Sequence, residues 1–415
     1  MVEDLKVKIA IISHAQIIPV FQNRWKRLAQ DEEYEVHLLV PEYWEQTWFG
    51  EKVIYQPQEL HENNFHIHPL PTTSVKNWSR YLFKSIDARF REIQPELIYI
   101  IHEEGILIHH QIYMYRKLFA PNAKIIFFSM NARGVPFQIT KNPVKKIIYK
   151  WMWDAVVKQT DASLVHYPGC LDSLRRGGYA KPIYLQTQVG VDEKVFCPNK
   201  AIREKYRKKI NFEDKFVIGY SGRLTKDKGV DDLVAVFISI ASKYDNLALL
   251  LVGNGELREE VEHIFAQSEL TDLLYITGFV DQAEVPAYMN AMDIFVLGSK
   301  TTPHWIDTFP LVTVQAQATE LAVIAADSAS IPWQLADSAH IYPEGNRESL
   351  EKKLLKLYQD DTLRTSLAKK GRDRCLENFC HEGMTENFKL IAQQVMSGKY
   401  IYHHEGEIYT QWKAF

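Results

Sequence analysis

Short apolar runs and amphipathic stretches alternate along the whole chain, and the alternation occurs in two sets. The strand-like runs of the first set are 7–12, 36–40, 97–101, 124–128 and 163–165. Those of the second set are 216–220, 247–252, 274–276, 293–297 and 322–325. Strands that alternate with helices form parallel sheets covered on both faces. The sequence therefore predicts an α/β protein with two doubly wound parallel sheets.

The alternation is interrupted between the two sets, which predicts a domain boundary near residue 200. The stretch 189–198 contains glycine and proline, and the charged run 203–209 follows it, so we expect a linker there. After Asn346 the sequence becomes helical and charged to about Gly398. The aromatic tail 400–415 needs a surface that buries its rings, and we expect it to pack on the first domain. The predicted domains are 1–199, 200–385 and a returning helix and tail, 386–415.

Composition narrows the classes of function. The chain has 415 residues, of which 46% are hydrophobic, so it can bury more core than one ordinary domain holds. Its formal net charge of -3 argues against a protein that neutralises many nucleic-acid phosphates. The longest apolar runs, such as 247–252, are too short to span a bilayer, and the four scattered cysteines suit reduced thiols. We expect a cytoplasmic protein that binds no nucleic acid.

A glycine turn with two basic side chains follows the first strand of the second set. Residues 216–220 suit a buried strand, and 230–242 have the apolar spacing of a helix. Ligands of open α/β sheets collect at the carboxyl ends of strands. There Gly222 lets the backbone come close, and Arg223 and Lys228 supply positive charge. The pattern predicts a diphosphate site, with a solvated basic loop as the alternative.

Polar side chains follow the predicted strands of the first set. They are Ser13 and His14, His102 with Glu103 and Glu104, Ser129 with Met130 and Asn131, and Tyr167. At the carboxyl edge of one sheet, such groups can orient hydroxyl groups and take a proton from one of them. For any single residue a capping or turn role is the simpler interpretation. Together they favour a site for a polar small molecule.

Glycines follow the predicted strands of the second set. Besides Gly222 they are Gly253, Gly255, Gly278 and Gly298. Glycine is typical of places where backbone must approach a ligand. The segment 307–316 then runs from a turn into a helix whose amino-terminal amides could receive a second phosphate. Alternatively, Asp307 or Thr308 simply caps that helix.

Four motifs around these positions follow one another in a set order and spacing. They are Gly190-Val-Asp192 with Phe196 and Pro198, Gly222-Arg-Leu-x-x-x-Lys-Gly229, Leu251-Val-Gly-Asn-Gly255, and Gly278-Phe-Val280. Taken together the motifs resemble those of the retaining family 4 glycosyltransferases of the GT-B architecture, over most of the chain. The resemblance implies two Rossmann-like domains with an interdomain cleft. It further implies a nucleotide sugar held mainly by the second domain, a hydroxyl acceptor held mainly by the first, and no divalent metal or other cofactor.

The resemblance assigns roles to individual donor-site residues. Arg223 and Lys228 would hold the diphosphate and neutralise the charge that develops as the glycosidic bond breaks. Asp307 would stand where the family has a glutamate that touches the sugar. Gln315 would stand at a second glutamate, which accepts hydrogen bonds from the ribose. The other donor-binding residues would be Gly222, Gly253, Asn254, Gly255, Phe279, Val280, Phe309, Leu311 and Val312.

On the acceptor side the resemblance leaves more open. His102 and Glu103 are catalytic candidates that would orient the acceptor, and His14 and Asn131 are candidates for binding it. The family's usual mechanism is front-side attack in which the departing phosphate takes the acceptor proton, so that no dedicated nucleophile is needed. The base of a UDP-, GDP- or ADP-sugar donor, the acceptor and the oligomeric state stay open.

Several positions depart from the family pattern. Gln315 lacks the carboxylate, and a charged acceptor is roughly twice as strong as a neutral one, so weaker nucleotide binding is expected. Glu320 and Ala322 replace a usual Gly and Pro, Ala329-Ser330 replaces a Gly-Gly pair, and Trp333 replaces a glutamate. The first loop, 13–19, lacks the frequent double glycine. The diphosphate end of the donor site is therefore the best preserved.

The segment 141–153 combines basic and aromatic residues on a predicted helix, a composition that suits an anionic membrane surface. It predicts a weak peripheral contact at the inner face of the membrane. An ordinary crossover helix, which we favour, would instead bury Ile147, Ile148, Trp151 and Val156 against the sheet.

The leading functional hypothesis is a nucleotide-sugar-dependent glycosyltransferase of polysaccharide, lipid-linked glycan or glycoconjugate synthesis. A nucleotide-sugar 2-epimerase of the same architecture is one alternative. A non-catalytic glycan-binding or scaffold protein is another, to which Gln315 and the altered Gly-Gly pair point. A nicotinamide dehydrogenase is disfavoured because no Gly-x-Gly-x-x-Gly follows the first strand.

Overall fold

The computed structural model describes residues 6–48, 51–77, 80–102, 107–303 and 306–400. Its contacts divide the chain into two compact units. The first runs to Gly190 and resumes at His381, and the second is Val191–Cys380. The units therefore divide after residues 190 and 380, whereas the sequence predicted boundaries after residues 199 and 385. Residues 401–415, most of the predicted aromatic tail, lie outside the described residues.

The first unit contains an eight-stranded sheet in the order β10-β9-β8-β7-β1-β2-β6-β5. Its strands are β1 (Val7–Ile12), β2 (Tyr34–Pro41), β5 (Leu60–Glu62), β6 (Phe65–Leu70), β7 (Leu97–Ile100), β8 (Lys124–Ser129), β9 (Ala162–Val165) and β10 (Ile183–Leu185), and β3 (Trp44–Trp48) and β4 (Glu51–Tyr55) form a separate hairpin. All pairs in the large sheet are parallel except β5 with β6. The five predicted strands are all present. Strand β6 was missed because histidines interrupt its apolar pattern.

In the described parts of this unit, six helices connect these strands. They are α1 (Pro19–Leu28), α2 (Ile86–Ile93), α3 (Leu107–Phe119), α4 (Pro136–Ile139), α5 (Pro143–Gln159) and α6 (Pro168–Arg176). Four of them begin with proline, whose missing N–H would have no partner in the first turn of a helix anyway. Strands β7 and β9 are buried throughout, as expected of parallel strands covered on both faces.

Helix α5 does not pack as the crossover-helix interpretation predicted. Ile147 is 73% exposed, Ile148 49% and Trp151 67%, so the expectation that they cover the sheet is wrong. In the second half of the helix, Met152, Trp153 and Val156 are buried, and the Trp153 indole N–H donates to the Gly177 carbonyl at 2.7 Å. In the first half the apolar side chains are largely exposed, although the Trp151 ring also stacks on that of His110 in α3, with centroids 5.2 Å apart.

The second unit contains a six-stranded parallel sheet in the order β13-β12-β11-β14-β15-β16. Its strands are β11 (Phe216–Ser221), β12 (Leu247–Val252), β13 (Leu274–Ile276), β14 (Ile294–Leu297), β15 (Ala322–Ala326) and β16 (His340–Tyr342). Its helices are α7 (Lys200–Lys209), α8 (Val230–Ala241), α9 (Arg258–Gln267), α10 (Val285–Asn290), α11 (Leu311–Ala318), α12 (Ile331–Leu335), α13 (Arg347–Gln359) and α14 (Asp361–Asn378). The two α/β sheets confirm the predicted fold class.

The charged run 203–209 is helical rather than a linker. It forms most of α7, where Arg203 and Arg207, one turn apart, both pair with the carboxylate of Asp293. Arg203 also donates to the Asn290 carbonyl at 3.0 Å. Two of the charges that suggested a linker are therefore partners of one carboxylate in the second unit.

The last helix, α15 (His381–Ser397), returns to the first unit. The Phe388 ring packs 5.1 Å from that of Trp25 in α1, and the Lys389 ammonium lies 2.8 Å from the Asp31 carboxylate. In the parts of the chain that the structure describes, no helix combines the length and apolar character needed to cross a membrane.

Candidate functional site

The glycine turn lies at the switch point of the second sheet. From β11 the chain moves to β12 and β13 on one side, and β14 lies on the other side of β11. Crossover connections on opposite sides of a parallel sheet leave a crevice at the carboxyl ends of the two central strands. The loop after β11 and the loop after β14 flank this crevice, so the strand order places the predicted phosphate turn where α/β proteins bind ligands.

Lys228 and Asp307 join these two loops. The Lys228 Nζ atom is 2.7 Å from Oδ1 and 2.7 Å from Oδ2 of Asp307. Both side chains are largely buried, with 14% of the lysine and 7% of the aspartate exposed. The structure thus brings together two residues that the sequence had assigned separately, to the diphosphate and to the sugar.

Arg223 is held by its own turn. Its Nη2 atom donates to Asp227 Oδ2 at 3.0 Å, and its side chain is 36% exposed. The Tyr220 hydroxyl donates to the Arg223 carbonyl at 2.6 Å. Gly222, with φ of 146°, turns the chain out of the strand just before Arg223. The same turn therefore carries a partly exposed guanidinium and the largely buried Lys228 ammonium.

The glycines of this region allow loops to contact each other. A Cβ atom on Gly229 would lie 2.0 Å from the Gly298 carbonyl oxygen, and one on Gly253 would lie 2.0 Å from the Gly222 carbonyl oxygen. Such distances exclude any side chain at either position. The glycines thus pack backbone on backbone, whereas the sequence had suggested an approach of backbone to ligand.

Helix α11 begins after the site, at Leu311. Pro310 occupies its N-cap position and no side chain caps it, so the alternative in which Asp307 or Thr308 caps this helix is wrong. The Asp307 carboxylate instead binds Lys228. Four predicted donor-binding residues on or before the helix are half-buried, namely Phe309, Leu311, Val312 and Gln315.

Two positions that depart from the family pattern keep the backbone conformation of glycine. Ala329 has φ of 48° and Glu320 has φ of 60°, both in the left-handed region. Ser330, beside Ala329, donates its hydroxyl to the Asp307 carbonyl at 2.9 Å. The altered Ala-Ser pair therefore preserves the turn and ties it to the Asp307 loop.

The predicted base-binding loops lie at the ends of β12 and β13. The Asn254 carbonyl accepts from the Leu224 N–H at 3.0 Å, which links the loop 253–255 to the basic turn. Phe279 is 63% exposed, and Val280 is half-buried. The Gly253 N–H donates to the Thr277 hydroxyl at 3.1 Å, so the two loops are also joined.

In the first unit, the ends of the neighbouring strands β1 and β7 bring two histidines together. The rings of His14 and His102 stack with centroids 4.8 Å apart, and Trp44 lies 5.1 Å from His14. The Tyr81 hydroxyl contacts His102 Nε2. Trp44 and Tyr81 were missed in the sequence because neither follows a predicted strand.

Burial keeps both imidazoles neutral near pH 7. Desolvation lowers the pKa of His14 to about 4. It also lowers the pKa of His102 well below its ordinary value, and the neighbouring His14 and His109 act in the same direction. Within the described residues, neither Nδ1 atom has a hydrogen-bond partner. A neutral imidazole nitrogen can donate to or accept from a substrate hydroxyl.

The other acceptor-side candidates are less closely defined. Asn131 is half-buried and follows β8, the neighbour of β7 in the sheet. Glu103 lies outside the described residues. The structure thus brings the His14 and His102 rings into contact and places Trp44 and Tyr81 beside them.

Comparison with known proteins identifies the second unit. Residues 202–374 match the model of the family described as glycosyl transferases group 1. The capsular polysaccharide biosynthesis glycosyltransferase CapM of Staphylococcus aureus is 30% identical over 207 residues, 48% of this chain and 51% of that protein. A GDP-mannose-dependent phosphatidylinositol monomannoside mannosyltransferase of Mycobacterium tuberculosis is 30% identical over 145 residues, 34% of this chain and 38% of that protein. The chain thus matches about half the length of the first relative and less of the second.

Solved structures match nearly the whole chain. A sucrose-phosphate synthase from Thermosynechococcus elongatus gives a TM-score of 0.68 at 19% identity, covering 95% of this chain and 100% of that one. Anabaena HepE in complex with UDP gives 0.64 at 11% identity, covering 94% and 100%. At these identities the likeness concerns the fold, and it confirms the GT-B class. Together with the family match, it describes a chain of GT-B fold whose residues 202–374 match glycosyl transferases group 1.

Proposed function

We propose that this protein is a retaining glycosyltransferase that moves a sugar from a nucleoside diphosphate sugar to a hydroxyl acceptor without a divalent metal. The observation that carries the proposal is the cationic pair of Arg223 and Lys228 at the switch point of the second sheet, with Asp307 bound to Lys228 at 2.7 Å. A guanidinium and an ammonium from one turn can bind both phosphates of a diphosphate.

The chemistry needs little beyond positioning and charge. The bond from the anomeric carbon to the leaving phosphate oxygen breaks, and the acceptor oxygen bonds to that carbon on the same face. The departing phosphate oxygen takes the acceptor proton, so atoms and charges balance. Arg223 and Lys228 stabilise the negative charge that grows on the diphosphate, which is the role a magnesium ion would otherwise fill. Asp307 orients Lys228 and lies beside the position expected for the sugar.

On the acceptor side, the paired imidazoles of His14 and His102 are proposed to orient the hydroxyl that attacks. Their stacked rings and Trp44 form one wall, and aromatic faces suit the apolar face of a sugar. Glu103 remains a candidate from the sequence.

A thermal-shift screen with UDP-, GDP- and ADP-sugars tests donor binding, because a ligand of the native state raises its melting temperature. Arg223→Ala should lose the shift, while Lys200→Ala, in an exposed pair with Glu204 on α7, should keep it. Absence of a shift with every nucleotide would favour the non-catalytic alternative.

Product analysis tests the reaction itself. Release of a nucleoside diphosphate with a glycosylated acceptor, and an anomeric configuration unchanged by NMR, is expected. Turnover should persist in EDTA at a temperature where the protein stays folded. Conversion of the nucleotide sugar to an isomer without acceptor would instead identify an epimerase.

We further propose a membrane-associated acceptor. The apolar residues Val144, Ile147, Ile148 and Trp151 recur with helical spacing on the exposed first half of α5. Lys145, Lys146 and Lys150 flank them. Exposed apolar side chains between lysines suit the headgroup region of an anionic bilayer. Two relatives have a glycolipid in their names, the mycobacterial mannosyltransferase and an alpha-monoglucosyldiacylglycerol synthase of Acholeplasma laidlawii.

Flotation with vesicles tests this acceptor class. The protein should float with vesicles containing anionic phospholipid and much less with neutral ones. Ile147→Ser/Trp151→Ser should abolish flotation and spare donor binding. Val20→Ser, at another exposed apolar residue of the same unit, is the matched control. No flotation with anionic vesicles would overturn the membrane proposal and leave the transferase proposal intact.

A further inference from the structure

Four histidines and two glutamates cluster at the edge of the first sheet, away from the strand ends that carry His14 and His102. Strand register places His37 of β2 beside His66 of β6, and His66 beside His61 of β5. His68 lies two residues further along β6, on the same face as His66. Glu35 is on β2, and Glu59 directly precedes β5.

The six side chains form two groups of three, each with one carboxylate and two imidazoles. In the first group, Glu35 Oε1 lies 3.2 Å from His37 Nε2 and 3.3 Å from His66 Nε2. In the second, Glu59 Oε1 lies 3.5 Å from His61 Nε2 and 3.8 Å from His68 Nδ1. Within each group, one ligand atom per residue lies within 4.8 Å of the others.

These distances are also those expected between ligands of one ion. The ring atoms His37 Nε2, His66 Nε2 and His68 Nδ1 are buried and make no hydrogen bond to the residues described. Buried polar atoms without partners are rare and costly. Metal to ligand distances of about 2.0 to 2.2 Å imply edges of about 3.3 Å in a tetrahedron. The contacts of Glu35 with His37 and His66 match that edge.

The two groups are connected through imidazole pairs. His37 Nδ1 lies 3.0 Å from His68 Nε2, and His61 Nδ1 lies 3.2 Å from His66 Nδ1. Within each pair, only one of the two facing nitrogens can carry a proton. A neutral imidazole also carries only one N–H proton on its two ring nitrogens. When His37 and His66 donate through Nδ1, their Nε2 lone pairs both face Glu35. His68 Nδ1–H and His61 Nε2–H then both face Glu59. The opposite tautomers would aim both lone pairs at Glu59 instead, so neutral rings expose one complete ligand set at a time.

Burial and charge favour the set around Glu35. The side chains of Glu35, His37 and His66 are 25%, 8% and 13% exposed, whereas Glu59 and His61 are 46% and 52% exposed. Arg89 of α2 already pairs with Glu59, and its positive charge opposes a cation there. Glu92 and Lys8 also act electrostatically on the cluster, with opposite signs. Glu59 is thus suited to accept hydrogen bonds from the outer imidazoles.

The geometry points to a binding site for one divalent transition-metal ion of the Zn²⁺ type, with Glu35, His37 and His66 as ligands. His61, His68 and Glu59 form the surrounding hydrogen-bonded shell. Carboxylate and imidazole are ligands that Zn²⁺ accepts, and partners of the outer ring nitrogens orient such histidines. Water completes the coordination. The ion would cross-link β2 to β6 and is independent of the transfer chemistry proposed above.

The test uses the full chain freed of metal with EDTA and then desalted. Titration with Zn²⁺ against a chromogenic chelator should give one equivalent per chain, and Co²⁺ should show the visible absorption of a four- or five-coordinate ion. Glu35→Gln and His66→Gln should each weaken Zn²⁺ binding more than a hundredfold. Glu59→Gln should weaken it about tenfold, as loss of an outer partner does. Glu62→Gln, at an exposed carboxylate of β5, is the matched control.

Each contrary outcome is decisive. Two equivalents of Zn²⁺ would overturn the single-ion assignment, and a larger loss for Glu59→Gln than for Glu35→Gln would overturn the choice of ligands. Should the variants not fold, NMR of the histidine ring protons in the native chain decides, because His37 and His66 are too buried for chemical modification. Zn²⁺ should shift the ring resonances of His37 and His66, and unchanged resonances would overturn the site. None of these readouts depends on transferase activity.

Discussion

The Lys228 ammonium bonds both carboxylate oxygens of Asp307, a residue 79 positions further along the chain, at 2.7 Å each. This ion pair connects the loops after β11 and β14 across the switch point of the second sheet. It holds the lysine at the proposed diphosphate site and sets a negative charge beside it. The ion pair stabilises the fold, but the aspartate charge opposes the binding of an anion to Lys228.

Lys228→Met should destabilise the protein. It leaves a 7% exposed carboxylate without its cation, and breaking such a buried pair costs about 3 kcal/mol or more. Lys228→Met/Asp307→Leu should recover most of the free energy of unfolding in urea, yet neither variant should bind nucleoside diphosphate. A single variant as stable as the wild type would mean that the pair is solvated in solution.

Asp307→Asn should separate binding from transfer. The amide still accepts a hydrogen bond from Lys228 but no longer competes with phosphate for its charge. We expect nucleoside diphosphate to bind about three- to tenfold tighter, corresponding to about 1 kcal/mol. Transfer should fall at least tenfold because the carboxylate beside the sugar is lost. Calorimetric titration and initial rates measure the two effects, and weaker diphosphate binding would contradict the assignment of Lys228.

Gln315→Glu tests the ribose end of the proposed donor site. The side chain is half-buried on α11, and a carboxylate accepts a hydrogen bond about twice as strongly as an amide. We expect the nucleotide to bind about fivefold tighter, with Gln315→Ala weaker than wild type. The effect should disappear for a free sugar phosphate without ribose, which serves as the control ligand. Equal nucleotide affinity of all three proteins would exclude contact of Gln315 with the ribose.

Ala329→Gly should stabilise the second unit. Ala329 has φ of 48°, and a left-handed conformation costs a residue with a Cβ atom about 1 kcal/mol. Part of this gain is lost to the greater freedom of glycine in the unfolded chain. Urea unfolding should give a midpoint no lower than that of the wild type. Ala325→Gly, in the buried strand β15, is the matched control and should lower it.

The buried histidines should make the first unit sensitive to acid. Burial, and secondarily Arg24, lower the pKa of His166 to about 3, and burial lowers that of His14 to about 4. The unfolded chain, with histidine pKa values near 6.5, therefore binds more protons than the native one between about pH 6.5 and 4. The free energy of unfolding should fall as the pH falls through this window.

The matched variants for this pH dependence are His166→Phe and Phe128→Leu, at rings 4.7 Å apart. His166→Phe should reduce the slope of the free energy of unfolding against pH by about 1.4 kcal/mol per pH unit near pH 5, which is the contribution of one proton. Phe128→Leu removes no titrating group, so it should lower stability equally at each pH. An unchanged slope in His166→Phe would show that this histidine is protonated in the native state.

Much of the fold was readable from local patterns. All ten predicted strands are present, because parallel strands buried on both faces consist of continuous apolar runs. The strands that were missed, such as Phe65–Leu70, lie towards sheet edges, where polar residues interrupt the run. The charged helix Lys200–Lys209 was mistaken for a linker because its charges have partners far away in the sequence.

Local sequence patterns were enough to predict the order of the elements, the glycine turn with Arg223 and Lys228, and the likeness to one family, since all of these depend on residues close together in the chain. Which distant side chains meet was visible only in the folded chain. Strand order brought Asp307 to Lys228, strand register brought His37 to His66, and the position of the anchoring residues left half of α5 exposed. Such contacts depend on where the whole chain packs, which no local pattern records.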